Sequence, residues 1–257
     1  MTHPPAEIAT DVHCLGPWGR TQTNVYLVRS GPSWALVDAG WEGDAARIEA
    51  AVGAVMGPDR RPEVILLTHV HPDHSGSAGT LARSWGCPVY LDAGDLPNAV
   101  GDFAGMTANA MVLDRWVILP LMRAMGTQRR DAVLARSSIA DVARTFEPGS
   151  AVPGLPDWER IPTPGHTPGH VSYYRPADRA LISGDALMTL LVNSPTGLLG
   201  RQGLSGPPWY TTWDRRRAAT SLVTLARLEP SVLAGGHGRP MTGPATAGAV
   251  RAFVAAG

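Results

Sequence analysis

Three imidazoles and a carboxylate crowd into six residues of this chain, His69-Val70-His71-Pro72-Asp73-His74, directly after the apolar run Val64-Ile65-Leu66-Leu67. Neutral imidazole nitrogen and ionised carboxylate are ligands that zinc, iron and manganese accept. A packed core has no use for four such groups together, because each would need its own hydrogen-bonding partner once buried. A strand entering a tight loop would bring all four to one point at the edge of a sheet. The run therefore reads as a metal site. One loop cannot saturate a metal pair, and three more residues are candidates for the remainder. They are His166 in Pro164-Gly165-His166-Thr167-Pro168-Gly169-His170, Asp185 in Ser183-Gly184-Asp185, and His237 in Gly235-Gly236-His237-Gly238. Each follows a strand-like run or lies in a glycine-rich turn, where the backbone can approach closely and aim a ligand inward.

The elements that would position these groups alternate between strand and helix. Strands are expected at 23–28, 34–37, 64–67 and 88–91, and again at 158–161, 171–174, 180–182 and 231–234. Apolar residues at helical spacing predict helices at 44–55, 77–85, 215–228 and 245–255. The pattern implies an α/β chain of two face-to-face sheets with helices on the outer faces, one domain over residues 1–257. Residues 96–150 break the rhythm. They contain no convincing strand and read as a helical insertion of two or three helices, with Val112, Trp116, Leu119 and Met122 as an apolar stripe and Pro120 kinking or ending a helix.

Composition narrows the partners. Formal net charge is zero and all 22 basic residues are arginine, so nothing favours nucleic acid or an anionic membrane. No stretch approaches the ~20 apolar residues needed to cross a bilayer. The N-terminus has neither the basic nor the apolar region of a secretory leader, so a cytoplasmic protein is expected, with Cys14 and Cys87 as reduced, buried thiols. His3 and His13 lie outside every motif and are expected at the surface.

HVHPDH, PGHTPGH, SGD and GGHG, in that order, resemble the ligand motifs of the metallo-β-lactamase superfamily, and Val37-Asp38-Ala39-Gly40 is similar to its first short motif. The resemblance spans roughly residues 20–240 without the insertion. It implies an αββα sandwich of two mixed sheets with a dinuclear metal site at one edge. Carried over by position, His69, His71 and His166 would hold the first metal, Asp73, His74 and His237 the second, and Asp185 would bridge them. Asp38 would buttress the metal loop, and His170 would orient the loop after His166 or serve as a structural histidine. The cofactor implied is a pair of divalent cations, zinc first, with iron or manganese as alternatives. A water shared by two cations is acidified towards or below ~7, which suits metal-assisted hydrolysis, with Asp73 as proton shuttle.

For the substrate, the resemblance implies an ester, thioester or lactone. Antibiotic-hydrolysing members carry Cys or Ser where this chain has Asp185. The glyoxalase II type extends further past its last ligand than the 20 residues that follow His237 in this chain of 257. Lactonases of the superfamily share all seven ligands and place a Tyr near the metals after the bridging Asp; Tyr210 is the Tyr in that region. The insertion, as lid or dimer contact, and the segment 187–213 offer Trp116, Met122, Trp209, Tyr210 and Trp213 as a pocket for an apolar acyl or aryl group of a small-molecule substrate. The rival readings are an oxidoreductase of the mononuclear iron persulfide dioxygenase type and, lower, a phosphodiesterase.

Overall fold

The structure, a computed structural model, describes residues 4–256; His3 lies outside them. Seven strands form the first sheet: β1 (Ala6–Ala9), β2 (Val12–Cys14), β3 (Tyr26–Ser30), β4 (Ser33–Val37), β5 (Val64–Leu66), β6 (Val89–Leu91) and β7 (Ala143–Thr145), in that order. The first four pair antiparallel and β4 to β7 pair parallel. The second sheet takes β8 (Glu159–Pro162), β9 (Val171–Arg175) and β10 (Ala180–Gly184). After a separate ribbon of β11 (Met188–Leu190) and β12 (Gln202–Ser205), it adds β13 (Val232–Gly235) and β14 (Met241–Thr242). Its order is β14-β13-β10-β9-β8, with β10 and β13 parallel and the other pairs antiparallel.

Alternation along the strands shows why the layers stack. In β4, β5, β10 and β13 both faces are apolar, as strands covered on two sides require. Ala35, Val37, Val64, Leu66, Ala180, Ile182, Val232 and Ala234 fill the space between the sheets. Their neighbours Leu36 and Ile65 face outward onto Ile48 and Val52 of α1 (Ala45–Met56) and Leu81 of α3 (Ala78–Trp85), which follows the single turn α2 (Pro72–Ser75). On the far side, Leu181 and Leu233 pack against Leu225 of α8 (Arg215–Arg227) and Val250 of α9 (Thr246–Ala256). Helices, sheet, sheet and helices make a four-layer αββα sandwich of two mixed sheets. None of the described helices is long and apolar enough to cross a membrane.

The region 96–150 holds α4 (Leu96–Val100), α5 (Phe103–Ala108), a π-helical stretch Asp114–Ile118, α6 (Leu119–Ala124) and α7 (Thr127–Ser137). Pro120 does not end the helix: helical residues run from Val112 through it to Ala124, with the π-helical stretch directly before α6. Two expectations fail here. The region does contain a strand, β7, the parallel edge of the first sheet; with exposed Arg144 between half-buried Ala143 and Thr145 it carries no apolar run to read. The expected stripe also splits: Leu119 and Met122 are buried, but Val112 is exposed and Trp116 is 75% exposed. The hairpin of β1 and β2 and the ribbon of β11 and β12 were not expected either. His13 lies half-buried in β2, stacked against Trp34, rather than at the surface.

Cys14 and Cys87 are free and buried. Burial pushes the Cys14 thiol up to about 12 and the Cys87 thiol up to about 11. Since the thiolate is the reactive form, the folded protein at pH 8 is expected to leave an aromatic disulfide reagent uncoloured, with two thiols titrating after denaturation. Fast labelling of either in the native protein would contradict this.

Candidate metal centre

The candidate ligands leave the sheets at one edge. His69, His71, Asp73 and His74 follow β5; His166 lies in the β8–β9 loop; Asp185 directly follows β10, and His237 follows β13. The carboxyl ends of parallel strands are where open α/β sheets commonly present ligand-binding groups.

All seven side chains converge. The ligand atoms of His69, His71 and His166 lie within 4.8 Å of one another, as do those of Asp73, His74 and His237, and those of His69, His74 and Asp185. Asp185 stands between the two outer triads: Oδ2 is 3.4 Å from His166 Nε2 and 3.3 Å from His237 Nε2, and Oδ1 is 3.4 Å from His74 Nε2. Asp73 Oδ2 lies 3.3 Å from His237 Nε2. Two imidazole pairs face nitrogen to nitrogen, His69 Nε2 to His71 Nδ1 at 3.1 Å and His74 Nε2 to His237 Nε2 at 3.4 Å. Edges of that length match tetrahedral ligands about 2.0–2.1 Å from a common ion, which lie roughly 3.3–3.4 Å apart. The buried His166 Nε2 and Asp185 Oδ1 have no hydrogen-bond partner. The donor set therefore fits divalent cations.

Outer contacts decide which nitrogen faces inward. Asp38 is buried with φ +62°, a left-handed conformation that costs a non-glycine residue energy and recurs at functional sites. Its Oδ1 accepts the Thr68 amide at 2.8 Å; its Oδ2 accepts the Thr68 hydroxyl at 2.8 Å and His74 Nδ1–H at 2.9 Å. His237 Nδ1–H donates to the Thr21 carbonyl at 2.8 Å. Both rings are thus left with Nε2 free to bind an ion. His170 does not join the cluster: its Nε2 accepts the Asp185 amide at 3.1 Å and its Nδ1 meets Thr163 Oγ1 at 2.8 Å, so it braces the strand end that carries Asp185. The chain also passes Asp185 closely at Gly236, where a Cβ would come 2.1 Å from Oδ1; any side chain there would displace the carboxylate.

Charge within the cluster is divided. Burial holds His71 down at about 3 and keeps His69 well below its ordinary value, so both are neutral imidazoles ready to bind an ion. Burial works the same way on His74 and His237, but Asp185 and Asp73 outweigh it and hold His237 at about 10 and His74 well above its ordinary range. The same histidines hold both carboxyls well below the usual range against their own burial. Asp73, its side chain 17% exposed, is more open to solvent than His74, His166, Asp185 or His237.

The proposed pocket residues divide. Trp213 donates its amide to the His166 carbonyl at 3.0 Å and Asp214 to that of Gly165 at 2.9 Å, so the turn before α8 lies directly on a ligand loop. Trp209 and Tyr210 stand exposed just upstream, edge-to-face at 5.6 Å. Trp116 projects from the region 96–150 and Met122 is buried within it. The sequence reading missed Asp95, a 1%-exposed carboxylate just after β6 that hydrogen-bonds to both the β5 loop and the His166 loop. Its local signal, Asp92-Ala93-Gly94-Asp95 closing a strand, is shared with ordinary turns.

A sequence model described as the metallo-beta-lactamase superfamily matches residues 18–237. The probable metallo-hydrolase YflN of Bacillus subtilis (strain 168) is 36% identical over 227 residues, covering 86% of this chain and 82% of that protein. A hydroxyacylglutathione hydrolase of Acidiphilium cryptum (strain JF-5) is 31% identical over 174 residues, 67% of this chain and 55% of its own length. Among solved structures, TTHA1623 in a di-iron-bound form superposes with a TM-score of 0.54 at 30% identity, over 88% of this chain and 92% of that one.

Proposed function

The chain belongs to the metallo-beta-lactamase superfamily, and from that premise we propose that it is a dinuclear metal-dependent hydrolase of an ester, thioester or lactone. The observation that carries this reading is Asp185 standing between two complete donor triads, within 3.4 Å of one nitrogen in the first and two in the second. His69, His71 and His166 would hold one cation, Asp73, His74 and His237 the other, and Asp185 both. Bound there, two cations supply Lewis acidity, making water nucleophilic near neutral pH and polarising the bond to be cleaved.

The chain's own residues do the rest. Asp38 and Thr21 keep His74 and His237 with Nε2 inward. Asp73 is more open to solvent than His74, His166, Asp185 or His237, and with one oxygen towards His237 its second oxygen would be the one to carry the proton from the attacking water to the leaving group. Trp209, Tyr210 and Trp213, beside the His166 loop, suit an apolar acyl or aryl group. The hydroxyacylglutathione hydrolase relative supports the thioester branch, and the di-iron neighbour supports two metals while leaving zinc and iron both in play. A mononuclear iron oxidoreductase would leave Asp73, His74 and His237 without an ion, so the number of metals per chain separates the two readings.

Metal-reconstituted protein should be run against lactones, thioesters, aryl esters, β-lactams and phosphodiesters, with metal content measured on the same sample. The expected result is about two ions per chain and preferred turnover of one of the first three classes. A single iron per chain, or preference for a phosphodiester or β-lactam, would reject the assignment.

A further inference from the structure

We propose that Asp95 is a positioning residue that sets the first of the two cation positions by tying together the two chain segments that carry its ligands. The proposal rests on the two-cation reading above. Asp95 closes the turn Ala93–Asp95 after β6, the strand beside β5, so its carboxylate emerges at the same sheet edge as the ligand loop. Its Oδ2 accepts the Val70 amide at 3.0 Å and the Thr167 hydroxyl at 2.7 Å, and its Oδ1 accepts the Gly169 amide at 2.8 Å. Val70 lies between His69 and His71, and Thr167 follows His166. Every ligand of the first triad is thus the chain neighbour of a group held by this one anion.

The second triad makes no bond to Asp95: Asp38 holds His74 and, through the Thr68 hydroxyl, also braces His69, while the Thr21 carbonyl holds His237. The Asp95 turn also meets the His166 loop backbone to backbone. A Cβ on Gly94 would lie 2.8 Å from the Gly169 amide nitrogen, and one on Gly169 would lie 2.5 Å from that of Asp95. Three donors converge on this group, so it must accept only. An Asn would turn an N–H towards one of them, and the charge strengthens each bond across a dry contact.

The test separates the two positions by double-variant cycles. Co²⁺ and Zn²⁺ affinities are measured by chelator competition, with the Co²⁺ absorption bands as a second readout. Unaltered protein should bind two ions; binding fewer would defeat the two-cation reading itself, whatever Asp95 does. In a His237→Ala background, which leaves the first triad intact, adding Asp95→Asn should weaken the remaining ion roughly 10–100-fold and shift its Co²⁺ bands, the scale seen for groups that orient metal ligands. In a His166→Ala background, which leaves the second triad, the same change should alter affinity less than about threefold. Thr167→Val removes one of the three bonds and keeps the charge. It should give a smaller loss in the first background only, and it carries the comparison if Asp95→Asn fails to fold. Equal losses in both backgrounds, or none in either, would overturn the proposal.

Discussion

Asp185→Ala is expected to keep the fold at a lowered melting temperature, to bind about one ion instead of two, and to lose at least about a hundred- to thousandfold in kcat. The strands and the cluster use different atoms of this residue. The Asp185 carboxylate serves the cluster and makes no bond to the strands: Oδ1 is buried with no hydrogen bond, and the charge faces the nitrogens of His74, His166 and His237, so alanine loses only the stabilisation this charge gives those rings. What the scaffold uses is the Asp185 amide, donated to His170, and alanine keeps it. Removing the carboxylate takes away the one anion common to both triads, so each proposed cation loses a ligand and their separation loses its spacer. The expected deficit follows the cost of deleting a single preorganised electrostatic group aimed at the reacting centre, about 10²–10³ in rate. Asp185→Asn separates charge from shape: it fills the space beside Gly236 and should still fail. Metal analysis, circular dichroism and steady-state kinetics on the same preparations check all three outcomes. Full turnover in either variant would end the two-metal mechanism.

The contrast between Asp185 and Asp95 also shows which parts of this molecule could be read from its sequence. His69 to His74 were legible because four donors in six residues have no structural use. Strands β4, β5, β10 and β13 were legible because burial on both faces leaves an unbroken apolar run. Asp38 and His170 fell where the motifs placed them, beside the cluster and not in it. Asp95 was not legible, because its partners are amides and a hydroxyl 25, 72 and 74 residues away, and the identity of those residues does not encode an amide. The Thr21 carbonyl that orients His237 is hidden for the same reason. Edge strand β7 is too short and too polar to show alternation. In the region 96–150 the error lies in the period. The stretch Asp114–Ile118 is π-helical, so residues three and four apart do not stay on one face. Leu119 and Met122 turn in, while Trp116 turns out.

Stripped of cations, the protein is expected to be most stable near pH 6.5 and to lose stability on both sides, whereas the metal-loaded protein should keep gaining on the stripped form as pH rises. The sign differs between two sets of histidines. His237 is held at about 10 and His74 is raised, against an unfolded value near 6.5. Their contribution is therefore complete below about pH 6.5 and is lost as pH climbs towards 10. His69, His71 and His170 are lowered by burial, His71 to about 3. The unfolded chain takes up protons at these rings before the folded one does, so stability falls as pH drops below 6.5. Each group contributes a slope of up to about 1.4 kcal/mol per pH unit. Cations reverse the alkaline limb. They need the unprotonated Nε2 of His74 and His237, so they compete with protons, and each proton displaced makes apparent affinity rise up to about tenfold per pH unit between 6.5 and 10. Loading at pH 7.5 should release at least one proton per chain, seen as a dependence of calorimetric heat on buffer ionisation enthalpy. Denaturant titrations of chelator-treated and reconstituted protein from pH 5 to 10 test both halves. A flat profile for the stripped protein, or a maximum above pH 8, would mean that the carboxylates of Asp73 and Asp185 do not hold His74 and His237 protonated, and the charge division drawn for this cluster would be wrong.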